Sequence, residues 1–149
     1  MPEHRGPAPL PDRVTLLELR FLYIGVADTD AAVGPWVDGL GARLRWRFAH
    51  FGADVAGLDM GSGPGPVVML ADHRPPGSVL PIWSVADVAA AARALGQHGW
   101  RVEGPMGTPE GDAIVAAGPD GVELALLEVV RPGALDGAWA DDDNSHRVR

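Results

Sequence analysis

Short apolar runs broken by glycine and proline dominate this chain, and two stretches switch from the two-residue period of a strand to the wider period of a helix. Phe21-Leu22-Tyr23-Ile24-Gly25-Val26 predicts a strand. Ala27-Asp28 follows, then a helix over residues 29–40 that Gly41 ends. The same order returns later, with Leu80-Pro81-Ile82-Trp83-Ser84-Val85 as a strand, Ala86-Asp87, and a helix over residues 88–97 that stops near Gly99. Asp28 and Asp87 each stand where a carboxylate can accept from the free amides of a helix start, so both are predicted to cap. Three extended stretches follow each helix, at 44–51, 53–60 and 67–71, and again at 100–103, 113–116 and 122–128. Gly52, GSGPGP at 61–66, GPMGTPEGD at 104–112 and GPDG at 118–121 separate them as turns. The pattern is βαβββ followed by βαβββ, an α+β domain built by internal duplication.

The repeats occupy residues 17–73 and 78–130, which together make one domain at 17–130. Residues 1–16 carry four prolines and no periodicity, and read as a flexible arm. Residues 131–149, with Asp141-Asp142-Asp143, read as an acidic flexible tail. The 149-residue length fits one core. Cysteine is absent, which excludes disulfides, thiolate nucleophiles and Cys-ligated metals. No apolar run approaches the ~20 residues of a membrane helix and no signal peptide opens the chain, so a cytoplasmic protein without membrane contact is expected. The formal net charge of −8 argues against nucleic acid, which needs a concentrated positive face. All basic residues are arginine, and Gly, Pro and Ala abound, a composition typical of a GC-rich genome such as an actinomycete's. GSGPGP is a weak phosphate-loop signal, because Pro64 and Pro66 remove amides and no helix follows; a hairpin turn is the better reading.

The segments VADTDAAVGPWVDGLGARL at 26–44 and GPDGVELALLE at 118–128, in this duplicated order, resemble the vicinal oxygen chelate superfamily, which includes glyoxalase I, extradiol dioxygenases, methylmalonyl-CoA epimerase and the bleomycin-resistance proteins. The resemblance implies a curled mixed sheet around a concave cavity. It also implies positions for a divalent metal that would bind substrate oxygens through nitrogen and carboxylate ligands. Those positions fall at Phe21, Leu80 and Ala125, with a fourth near Met69, and none of these side chains suits the task. A relocated site would draw on His50, His73, Asp59, Asp72 and Glu123, which are scattered and lack ligand-pair spacing. No cofactor is expected. Glu110 and Asp112 could form a carboxylate pair, but solvation on a loop is the simpler account.

Strand alternation predicts what replaces a metal shell. With Phe21 facing the cavity, Tyr23 also faces it while Leu22, Ile24 and Val26 pack under the helices. Leu80, Ile82 and Ser84, then Met69, then Glu123 and Ala125 face in by the same count, and Trp83 faces out. On the second strand either Arg45, Arg47 and Phe51 or Trp46 and its alternates face in; Arg45, Trp46, Arg47 and Phe51 are all candidates to grip a flat ligand. Trp36, Trp83 and Trp100 are assigned to packing, and Trp139 to the tail or a groove mouth. The expected cavity is apolar and partly aromatic, with Tyr23, Ser84 and Glu123 as sparse polar groups.

By resemblance to metal-free family members, the expected function is non-catalytic. A homodimer would sequester a hydrophobic or aromatic antibiotic, bleomycin-, mitomycin- or enediyne-like, in a shared groove. The net charge favours a neutral or cationic ligand. The alternative is an enzyme of the same fold, with a relocated metal or a metal-free acid–base group (Tyr23 or Glu123), acting on a polyketide-like metabolite.

Overall fold

The computed structural model describes residues 13–50 and 53–136. Eight strands form one open, curled sheet: β1 (Glu18–Gly25), β2 (Arg43–His50), β3 (Ala53–Asp59), β4 (Val67–Ala71), β5 (Val79–Val85), β6 (Arg101–Thr108), β7 (Gly111–Ala117) and β8 (Glu123–Glu128). Their spatial order is β2-β3-β4-β1-β5-β8-β7-β6. Each repeat therefore contributes half a sheet of the same internal order, and the halves meet where β1 pairs antiparallel with β5. The β1–β4 and β5–β8 pairs are parallel, as the crossover helices require.

Helix α1 (Thr29–Gly34) is capped by Asp28, whose carboxylate accepts from the Ala31 amide at 3.3 Å; α2 (Val88–Gln97) is capped likewise by Asp87, from the Ala90 amide at 3.0 Å. The first helix continues as one wide turn over Pro35–Gly39. Alternation divides the apolar residues between faces. Leu22, Ile24, Val68 and Leu70 pack beneath α1 with Trp36, and Trp83, Ile114 and Leu126 pack beneath α2. Phe21, Trp46, Val55, Met69 and Leu127 form a third cluster on the opposite, concave face.

Two features differ from the sequence expectation. Strand β6 runs through Gly104 and Pro105 rather than ending at 103. Proline is tolerated there because β6 is an edge strand, with β7 as its neighbour on one side only. The second difference lies past residue 130. Residues 131–136 turn back over the concave face, and Leu135 is 6% exposed within the concave cluster. That stretch belongs to the packed domain. Of the arm, residues 13–16 are described and Val14 packs against the cluster beneath α2; residues 1–12 and the remainder of the tail, Trp139 included, lie outside the described residues.

Candidate functional site

Two register shifts shape the concave face. On β1, Leu19 pairs with Trp83 and Phe21 with Ile82, which leaves Arg20 as an extra residue. On β2, Leu44 pairs with Leu58 and Trp46 with Gly57, which leaves Arg45 as an extra residue. A bulge of this kind bends the strand and re-aims its side chains. As a result Arg20 and Phe21, and likewise Arg45 and Trp46, border the same space.

That space is a cavity of about 560 Å³, within the range of small-molecule sites. Phe21, Trp46, Leu19, Val67 and Leu135 supply apolar wall, with Pro64 and Gly65 from the 61–66 turn at one side. The Trp46 indole lies directly over Gly57, where an added Cβ would come within 2.6 Å of the ring. Five charged residues complete the lining, Glu18, Arg20, Arg45, Glu110 and Asp136, and all are ion-paired. Arg20 bonds Glu18 at 3.0 Å and both oxygens of Glu110 at 3.0 and 3.2 Å, and its guanidinium sits 5.8 Å from the Phe21 ring centre. Arg45 bonds both Asp136 oxygens at 2.7 and 2.6 Å and Asp59 at 3.1 Å. Its hydrogen bond to Asp136, outweighing partial desolvation, raises its pKa further.

Glu110 corrects the reading of a solvated loop carboxylate. Its side chain is 4% exposed, and it accepts from Arg20 and from the Gly133 amide at 3.1 Å, while its backbone carbonyl accepts from Val130 and Arg131. It ties β1, the β6–β7 turn and the crossing segment together. Asp112 points to solvent.

The other predicted site residues fall elsewhere. Arg47 is turned to the helix side, held by Asp54 at 2.8 Å and by Asp30 of α1 at 3.0 Å, so its guanidinium is structural. Met69, Leu80 and Ala125 are buried and do not line the cavity. Ile82 packs against the concave cluster, and buried Ser84 donates to the Glu18 carbonyl at 3.4 Å. Phe51 and the side chain of His50 lie outside the description.

Tyr23 and Glu123 belong to a separate polar group on that face. The Tyr23 hydroxyl is 3.0 Å from His73 Nε2, with the rings edge to face, and Arg74 bonds Glu123 at 3.1 Å. Burial pushes the Tyr23 phenol up to about 12, and burial lowers the His73 pKa. Folding therefore favours the neutral form of each. The Tyr23 contribution to stability is full below the free-phenol pKa near 10 and is lost as pH rises through about 12. The His73 contribution is present above 6.5 and is lost as pH falls through its lowered value. The chain has one tyrosine and no cysteine whose thiolate would absorb, so phenolate absorbance reports this group alone. Absorbance of the native protein is expected to rise near pH 12, and after unfolding near pH 10.

The family model for Glyoxalase/Bleomycin resistance protein/Dioxygenase matches residues 16–126. The chain belongs to the Glyoxalase/Bleomycin resistance protein/Dioxygenase superfamily. Among solved structures, methylmalonyl-CoA epimerase from Mycobacterium tuberculosis is 22% identical, with a TM-score of 0.65 over 83% of this chain and 94% of that one. A Streptomyces coelicolor methylmalonyl-CoA epimerase in complex with 2-nitronate-propionyl-CoA is 20% identical, with a TM-score of 0.63 over 78% and 100%. A hypothetical protein from Bacillus halodurans is 12% identical, with a TM-score of 0.61 over 74% and 92%. No curated protein is significantly similar in sequence. These likenesses establish the vicinal oxygen chelate fold of the superfamily.

The metal that many superfamily members use does not fit the corresponding positions here. Phe21, Met69, Leu80 and Ala125 are buried and offer no nitrogen or carboxylate donor. Nor does any group of three or more His, Asp or Glu residues gather elsewhere among the described residues. No described helix is long and apolar enough to cross a membrane.

Proposed function

We propose that this protein binds a flat, largely apolar small molecule in the concave cavity and sequesters it without chemistry, as a cytoplasmic resistance protein against an aromatic natural product of the bleomycin, mitomycin or enediyne type. The observation that carries this reading is the cavity itself, walled by Phe21 and Trp46 at a face whose metal positions have become apolar. A buried aromatic wall contributes a few kcal/mol per side chain, about 1.5–3 for each large apolar group, and micromolar affinity needs about 8. Charge narrows the ligand class. Two guanidiniums, those of Arg20 and Arg45, are shared among four carboxylates, Glu18, Glu110, Asp59 and Asp136, so the rim carries excess negative charge. A neutral or cationic ligand suits it, and a polyanionic coenzyme A ester does not. Exposed Leu44 on edge strand β2 and Met106 on edge strand β6 support assembly as a homodimer.

The test is a titration followed by tryptophan fluorescence. Bleomycin, mitomycin C and the neutral dye Nile red are the probes, with methylmalonyl-CoA as the counter-probe. At least one neutral or cationic probe is expected to bind in the micromolar range, and the coenzyme A ester to bind at least tenfold more weakly. No binder tighter than about 100 µM, or about 5.5 kcal/mol, sinks the reading. The enzyme reading rests on the Tyr23–His73 pair and on the likeness to epimerases. Turnover of a small carbon acid that Tyr23→Phe abolishes would establish it instead.

A further inference from the structure

We propose that the C-terminal crossing at 131–136 is a latched wall of the binding cavity, with Leu135 closing the apolar side, the Arg45–Asp136 pair as the latch, and ligand exchange requiring its release. The proposal rests on the cavity being the ligand site, and it adds two binding residues that the sheet does not supply.

The base of the crossing is fixed. Val130 and Arg131 donate their amides to the Glu110 carbonyl at 2.8 and 3.0 Å, and the Arg131 guanidinium donates to the Pro109 carbonyl at 2.8 Å. Past these contacts the chain turns at Gly133, whose φ of +77° suits glycine and whose amide donates to Glu110 at 3.1 Å. Beyond that pivot, the described contacts that hold the segment down are two. Leu135 enters the concave cluster, and Asp136 forms both charged hydrogen bonds to Arg45. Each is a cavity-lining residue, so lifting the segment past Gly133 opens the site without disturbing any strand pairing.

The two contacts differ in kind. Leu135 is buried and insensitive to salt. The latch is not: the Arg45 and Asp136 side chains are 37% and 40% exposed, so ions reach them and screen their attraction. Arg45 keeps Asp59 at 3.1 Å when Asp136 leaves, which spares the guanidinium an unpaired state and lowers the barrier to opening. A flat ligand against Phe21 and Trp46 would touch Leu135 as well, so a bound ligand and the closed segment favour each other.

Two measurements on the full chain test this, with Asp136→Asn as the variant; it removes the latch charge and leaves the Arg45–Asp59 pair. The first is hydrogen exchange at the Asp136 amide, which donates to the Gly133 carbonyl at 3.2 Å. It is expected to open at least tenfold more often than the amides of β1, and about fivefold more often again in the variant, the upper end for a half-exposed ion pair. Exchange there no faster than in β1 overturns the proposal whether or not any probe binds. The second is stopped-flow dissociation of Nile red. The variant is expected to release it about fivefold faster, and added salt to speed release from the original protein but not from the variant. Equal rates, or equal salt dependence, overturn the latch. Failure of Nile red to bind the original protein counts against the functional reading instead, and the exchange measurement then decides alone.

Discussion

Replacing Trp46 with alanine is expected to lower the free energy of unfolding by about 3–5 kcal/mol, the range for removing a buried large aromatic side chain. The indole is 3% exposed, lies on Gly57 of the neighbouring strand and packs in the concave cluster with Phe21, Met69 and Leu135. Nothing nearby can refill its volume: the β3 residue beneath it is glycine, and Leu135 is already seated. The same substitution is expected to abolish Nile red binding at micromolar concentration, because it removes one of the two aromatic walls of the cavity. Urea denaturation followed by circular dichroism gives the stability and dye titration the binding. A loss below 1 kcal/mol, with binding retained, would place the indole outside the site and remove the aromatic-wall argument.

Glu110→Gln is the second large effect. The carboxylate is almost fully buried and accepts from Arg20 with both oxygens and from the Gly133 amide. Glutamine fills the same volume but offers one acceptor oxygen, and it turns a donor group towards a guanidinium or an amide. Hydrogen bonds to a charged group are worth about 1.5–3 kcal/mol each, and Arg20 retains Glu18, so a loss of about 2–3 kcal/mol is expected. Glu18→Gln is the control. Glu18 is mostly exposed, and its loss should cost below about 0.5 kcal/mol. Urea midpoints of the two variants that coincide would show that Glu110 is not the hub described.

The duplicated order, the two caps and the assignment of Phe21 and Tyr23 to one face and Leu22 and Ile24 to the other were all legible in the sequence, because each depends on local period and helix-start chemistry. The walls of the site were less so. Alternation places Arg20 with Leu22, beneath the helix, and a single extra residue in the pairing with β5 turns it to the cavity instead. Arg45 and Trp46 alternate in sequence and were expected on opposite faces; the extra residue opposite β3 lets both border the same space. A bulge depends on the partner strand's register, which periodicity within one strand does not encode. Arg47 shows another limit: alternation left the face of β2 open and made it a candidate to grip a ligand, and what turns it to the helix side is a pair of partners, Asp30 and Asp54, that come from other elements. Leu135 was hidden by its neighbours, since a lone leucine after Pro132 and Gly133 carries no period from which packing could be read.

The doubled architecture also bears on how many molecules one chain can hold. The two halves are related by the duplication, yet the position equivalent to Arg20 is Val79, an exposed aliphatic side chain, and the irregularity of β6 falls at Gly104 and Pro105, which bring no charge and no aromatic ring. The second half shares the scaffold but lacks the pincer of cation and aromatic found in the first. Saturation at a single equivalent per polypeptide is the stoichiometry this lopsidedness implies.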